Sequence, residues 1–302
     1  MQQKPLLFYH LIALFCILVW GTTFVSTKIL LNHGLTPTVI FFYRFLLAYV
    51  LMWFVSPKTL FSKSLKDEFL FLLLGISGGS IYFFTENTAL EIAYVNNVAL
   101  LVCTAPLLTA LLSHFFLKNE KFSKRLLIGS LLALAGVALV IFNGKFVLKS
   151  NPLGDFLSLS AALSWAIYTI ILKKLDTKYS IAFITRKVFF YGLLTIVPFL
   201  AFSGFELHFD AIFTPVVAGN LLFLGIVASM LCFVLWNVAL KHLGSVRTSN
   251  YIYFNPLVTL ITAALVLNEI ITPIAAVGAV LILAGLFFAE NNFSFKKIVN
   301  QK

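Results

Sequence analysis

The sequence predicts an all-α membrane protein: ten transmembrane helices in two inverted five-helix repeats. Three observations carry this. Of 302 residues 61% are hydrophobic and only 11% charged, with a mean hydropathy of +1.00, whereas a soluble domain carries about 25% charge and needs it to stay dissolved. The apolar residues fall in ten runs long enough to cross a bilayer. Signatures of the first half recur, in order, in the second.

A span needs about 20 mostly apolar residues, because in hydrocarbon every backbone N–H and C=O must be satisfied without water. The first run, Phe8 to Leu30, follows Lys4 and stops at the turn Asn32-His33-Gly34. It is longer than a signal-peptide core and lacks a clear small-residue cleavage site, so it reads as a retained span. The second, Pro37 to Val55, carries Arg44, and the third, Glu68 to Leu90, carries Tyr82 and Glu86. The fourth, Asn97 to Leu117, is interrupted by Pro106, and the fifth, Leu126 to Phe142, holds the small-residue run Gly129 to Gly136. After Asn143-Gly144 and Asn151-Pro152, which are turn dipeptides, the sixth runs from Leu153 to Leu172 and the seventh from Ile181 to Phe202. The eighth, Val216 to Leu240, holds Trp236; the ninth, Thr248 to Leu267, holds Pro256; the tenth, Pro273 to Ala289, holds Gly278 to Gly285. The short connections leave no room for an inserted soluble domain, and the runs are too long and of the wrong period for barrel strands.

Lys and Arg in short loops mark the cytoplasmic side, which tests the span count. Alternate segments hold Lys4, then Lys58, Lys63 and Lys66, then Lys118, Lys121, Lys124 and Arg125, then Lys173, Lys174 and Lys178, then Lys241 and Arg247, then Lys296, Lys297 and Lys302. The other segments hold little more than Lys28, Lys145 and Lys149. Both termini are therefore expected in the cytoplasm. The net charge of +11 reads as topology, with no nucleic-acid partner implied. Cys16, Cys103 and Cys232 lie inside apolar runs and are odd in number, so no disulfide framework follows.

The halves align. Asn119-Glu120 matches Asn268-Glu269 and Gly129–Gly136 (GSLLALAG) matches Gly278–Gly285 (GAVLILAG), both 149 residues on. Pro106 matches Pro256, and Asn87-x-Ala89-Leu90 matches Asn237-x-Ala239-Leu240, 150 residues on. Trp20 and Arg44 match Trp165 and Arg186 at smaller offsets. The repeats are expected at residues 1–145 and 146–302. Five spans each is an odd number, so the second repeat must sit upside down relative to the first.

These residues, with Trp20-Gly21, Gly154-Asp155 and Trp165-Ala166-x-Tyr168, give the whole chain a resemblance to the drug/metabolite transporter superfamily, in its ten-helix branch with two EamA domains. The resemblance implies an inner-membrane exporter of amino acids or related small metabolites that works by alternating access, with its cavity between the halves. One departure stands out. Tyr251, Tyr253 and Asn255 precede Pro256 where the first half has Leu101, Cys103 and Ala105, so the cavity should be chemically lopsided.

Polar residues three, four or seven apart share a helix face, and such stripes locate the candidate substrate-binding residues: Trp20 in the first span; Tyr82 and Glu86 in the third; Trp165 and Tyr168 in the sixth; Trp236 and Asn237 in the eighth; Tyr251 and Asn255 in the ninth. Aromatic faces hold apolar or cationic solutes, and packing is the competing role for each ring. Pro106 and Pro256 each free a carbonyl four residues back and are candidate hinges. An intramembrane charge is a functional hypothesis by default. Glu86 is such a case, able to take a cation, an amine or a proton. Arg44, about 10 Å inside its span at 1.5 Å per residue, and Arg186 with Lys187 are expected to extend to the interface. Ser123 and Thr272, the latter before Pro273, read as helix N-caps.

No catalytic, metal or cofactor site is expected. The five histidines are scattered, and there is no HExxH pair, Walker A loop or midplane carboxylate pair. The sequence thus favours secondary transport of a small organic solute. A membrane-embedded enzyme acting on a lipid-like substrate and a passive channel stay open as alternatives.

Overall fold

The computed structural model describes residues 5–57, 60–93, 95–117, 123–142, 151–202, 209–267 and 272–290. Among them there are helices and no strands. Eight helices are long and apolar enough to cross a membrane: Leu6–Asn32, Pro37–Val55, Leu65–Ile92, Val98–Phe116, Lys124–Phe142, Pro152–Leu175, Ile181–Leu200 and Pro215–Leu243. The ninth span is divided into Ser245–Asn250, a tight 3₁₀ turn at Tyr251–Phe254, and Asn255–Leu267. The tenth is Pro273–Glu290. The protein is an all-α, multi-pass membrane protein. Asn119-Glu120 and Asn268-Glu269 lie outside the described residues.

Helix starts are built from local sequence. The first N–H groups of a helix have no intrahelical acceptor, and leaving them bare beside hydrocarbon is costly. Side-chain oxygens accept them at Thr36 (from Val39), Ser64 (from Asp67), Ser123 (from Leu126), Asn151 (from Gly154), Ser180 (from Phe183) and Thr272 (from Ala275). The Ser123 and Thr272 caps are those read from the sequence.

The halves interlock. The first span packs on the eighth and ninth, the second on the seventh and eighth, the third on the sixth and seventh, and the fifth on the tenth. The fifth and tenth meet backbone to backbone. A Cβ built on Gly129 would lie 2.5 Å from the Gly285 carbonyl oxygen, and one on Gly136 would lie 2.6 Å from that of Gly278. Between apolar helices in lipid, close van der Waals approach is what drives association, and only small residues permit it.

The third and eighth spans each contain a widened π segment, Ile76–Ser80 and Phe223–Leu231. These are corresponding helices of the two halves. In a π turn the bonding shifts to the fifth residue, which leaves carbonyls short of a partner. Side chains from other spans supply it: Ser164 Oγ donates to the Ser77 carbonyl at 2.8 Å and Trp20 Nε1 to the Ala228 carbonyl at 2.9 Å. The fourth and ninth spans break in register too, at Cys103-Thr104 ahead of Pro106 and at Tyr251–Phe254 ahead of Pro256.

At the end carrying Lys63 and Lys178, ion pairs tie the third span to the seventh and to the turn before it. Lys178 pairs with Asp67 at 2.9 Å, which also accepts from Tyr179 at 2.8 Å. The hydrogen bond to Asp67 holds the Lys178 ammonium above its ordinary pKa. Glu68 accepts from Lys187, Tyr191 and the Ser62 backbone N–H.

Candidate functional site

A cavity lies inside the bundle beside the breaks of the fourth and ninth spans. It is lined by Trp20, Thr23 and Phe24 of the first span, Arg44 of the second, Tyr82, Phe83 and Glu86 of the third, and Val102 and Ala105 of the fourth. The other half adds Trp165, Phe233, Ile252 and Asn255. Its volume of about 50 Å³ admits a few waters, at about 15 Å³ each. A larger solute requires the aromatic walls to move apart.

Trp20, Tyr82 and Arg44 are each oriented by a second contact. Trp20 is held by its bond to Ala228, and its ring packs on Trp165 and Trp236 at 5.4 and 4.9 Å between centroids. Tyr82 donates to Glu86 Oε1 at 2.7 Å, one helical turn away. Arg44 Nε donates to Ser229 Oγ at 3.0 Å, and its guanidinium lies 4.2 Å from the Phe83 ring centre. Arg44 and Glu86 are only 3% and 8% exposed, yet among the described residues no carboxylate oxygen lies within 4.0 Å of Arg44. The cavity therefore holds a buried guanidinium and a buried carboxyl group that, among the described residues, form no direct ion pair. Trp165 Nε1 and Asn255 Oδ1 are buried on its wall without a hydrogen-bond partner among the described residues.

The structure separates the sequence-derived candidates into two groups. Trp20, Tyr82, Glu86, Trp165 and Asn255 line the cavity. Tyr168, Trp236, Asn237 and Tyr251 do not. Tyr168 donates to Asn237 at 2.8 Å and Asn237 to Thr185 at 3.0 Å, a fully buried chain that joins the sixth, eighth and seventh spans. Trp236 is fully buried behind Trp20. Tyr251 bonds His10 at 2.7 Å. Helical stripes predict which residues share a face, and a face is wider than the cavity it touches. Pro106 and Pro256 are buried beside the breaks they follow.

Arg44 is the residue that stripe reasoning missed. Extension to the interface was expected; instead it turns inward, because Ser229 and the Phe83 ring offer partners nearer than the membrane surface. Arg186 and Lys187 instead reach the end of the bundle that carries Lys63 and Lys178, where they are held by the Ser56 carbonyl and Glu68 and are 2% and 4% exposed. Depth alone signalled Arg44: about two helical turns separate it from the nearer end of its span.

Comparison with known proteins agrees with this architecture. A solved crystal structure superposes with a TM-score of 0.74 over 93% of this chain and 97% of its own at 20% identity, a likeness of fold. An uncharacterized transporter of Archaeoglobus fulgidus is 32% identical over 92% of this chain and 96% of its own. Proteins named probable amino-acid metabolite efflux pumps match as well. The Salmonella typhimurium protein is 31% identical over 94% of this chain and 95% of its own, and the Escherichia coli protein 28% over 95% and 96%. The EamA-like transporter family matches residues 7–142 and again 152–290. With both repeats matched around a cavity that each helps to line, this chain belongs to the EamA-like transporter family and is a membrane transporter, not an enzyme.

Proposed function

We propose that the protein exports a small zwitterionic solute of the amino-acid type across the plasma (inner) membrane by alternating access. One observation carries the reading: the Arg44 guanidinium and the Glu86 carboxyl group, both buried, line one cavity without a direct ion pair between them. Burying an isolated charge is costly, and an amino acid brings to each the group it lacks, a carboxylate for the Arg44 fork and an ammonium for Glu86. Asn255 Oδ1 adds an acceptor and Trp165 Nε1 a donor. The names of the Salmonella and Escherichia relatives point to the same solute class.

Alternating access rests on the two inverted halves, which share the cavity wall and carry matched irregularities beside Pro106 and Pro256. The ion pairs of Asp67 and Glu68 with Lys178 and Lys187 bridge the halves at one end and act as the closed cytoplasmic gate. Proteoliposomes loaded with an amino acid should show saturable counterflow. Flux that does not saturate and shows no counterflow identifies a channel.

Two further outcomes follow from the geometry. Asn255→Ala lowers solute affinity about tenfold, the cost of one buried hydrogen bond, whereas Tyr251→Phe, which acts on the His10 contact, leaves affinity unchanged. Titration of melting temperature with solute measures both, and equal losses would place Tyr251 in the site. For orientation, single cysteines at Lys63 or Lys178 are shielded from an impermeant thiol reagent in intact cells, and those at His33 or Glu91 are labelled. The opposite pattern reverses the topology.

A further inference from the structure

A second pocket lies at the end carrying the Asp67 and Glu68 ion pairs, away from the central cavity. It has a volume of about 220 Å³ and is lined by Tyr49 and Trp53 of the second span, Leu60 and Phe61 of the following loop, Glu68 of the third span, and Arg186, Lys187, Phe190 and Tyr191 of the seventh. Two cations and one acid give it a net positive charge.

That acid is fully engaged. Glu68 takes Lys187, Tyr191 and the Ser62 N–H on its two oxygens, which neutralises Lys187. Arg186 is left as the uncompensated charge. Its guanidinium carries five donors, of which one bonds the Ser56 carbonyl, while its plane lies 4.6 Å from the Trp53 ring centre and 5.4 Å from that of Phe183. Among the described residues no carboxylate lies within ion-pair distance of it. A buried guanidinium with unused donors beside open volume is an anion site.

The surroundings indicate what brings the anion. The rim is apolar and outward-facing: Phe61 is 76% exposed and Leu60 54%, with Phe54 nearby on the second span at 81%. In a membrane protein such a surface meets acyl chains. Lys63 and Lys66 lie at the same end and add to the positive field that attracts anionic headgroups.

We propose that this pocket binds the phosphate of an anionic phospholipid, with Arg186 as its principal ligand, Trp53 holding the guanidinium plane and Leu60 and Phe61 receiving the acyl chains. Because the pocket joins the second and third spans to the seventh, the bound lipid bridges the two halves and favours the arrangement in which this end is closed. The site stands apart from the solute cavity, so it holds whatever the solute is.

The test uses the delipidated full-length protein in a non-ionic detergent. Its melting temperature is followed against phosphatidylglycerol, phosphatidylcholine with the same chains, and inorganic phosphate. A ligand that prefers the folded state raises the transition in a concentration-dependent way. Phosphatidylglycerol should act at a concentration about tenfold lower than phosphatidylcholine, and Arg186→Gln should erase that difference. Each variant is compared with its own lipid-free value. Should Arg186→Gln fail to fold, Arg186→Lys keeps the charge without the fork and should weaken the response about threefold to tenfold. Equal responses to the two lipids, or an unchanged preference in the Arg186 variants, overturn the proposal. A response to inorganic phosphate as strong as that to phosphatidylglycerol, lost with Arg186, assigns the site to a free anion and overturns the lipid.

Discussion

Arg44→Gln and Glu86→Gln each reduce amino-acid transport about 100-fold, the largest functional effect expected of any single substitution. Removing one partner of a buried, hydrogen-bonded charge pair costs about 2 to 5 kcal/mol, much of it the penalty on the charge left behind, and each 1.4 kcal/mol is about tenfold. In the proposed complex the solute completes both pairs, so the loss falls on binding. Analogues separate this from a structural role. The parent should discriminate against an amino-acid amide, which lacks the carboxylate, and Arg44→Gln should lose that discrimination. Glu86→Gln should lose the corresponding discrimination against the N-acetyl derivative. If both variants keep the parent's preferences, the two charges are structural and the solute binds elsewhere.

Gly129→Val and Gly285→Val give the largest losses of stability, about 3 kcal/mol each, at the upper end for overpacking. An added Cβ at Gly129 would sit 2.5 Å from the Gly285 carbonyl oxygen, and one at Gly285 would sit 2.5 Å from the Ala133 nitrogen. Both obstacles are backbone of a facing helix, so no rotamer change relieves them and the fifth and tenth spans must separate. Gly219 is the control, because a Cβ there meets nothing within 4 Å. Gly219→Val should leave the melting temperature near that of the parent, apart from the small cost of a β-branched residue in a helix. The two Gly-run variants should unfold well below it. Similar values for all three would mean that the close approach of the fifth and tenth spans contributes little.

Much of this architecture is legible along the chain because the bilayer makes it a local property. Without water, a span must be long, apolar and helical, so ten runs and the loop charges between them suffice to read the class and the expected orientation. Caps are local as well: Ser123 and Thr272 are three residues from the N–H groups they accept. The repeat is visible because Pro106 and Pro256, and the two Gly runs, stand at nearly constant offset.

The cavity is decided at another level. Periodicity places Trp20, Trp165, Tyr168, Trp236 and Tyr251 on polar or aromatic stripes without stating which way each stripe turns. That rotation is set by packing between spans far apart in sequence: Gly129 against Gly285, Trp20 on the carbonyl that a π segment leaves open, Tyr168 on Asn237. Widened turns are not readable from residue type, since Ile76–Ser80 and Phe223–Leu231 share no diagnostic pattern. Arg44 shows the same limit from the side of charge. Its depth in the second span is a matter of counting residues, but its inward turn depends on Ser229, 185 residues later. The sequence by itself determined a ten-span membrane bundle with a duplicated frame, because hydrocarbon constrains each helix one at a time. Only the tertiary structure decided that Arg44 and Glu86 face one cavity while Arg186 faces another, because a buried charge takes the partner that packing brings within reach.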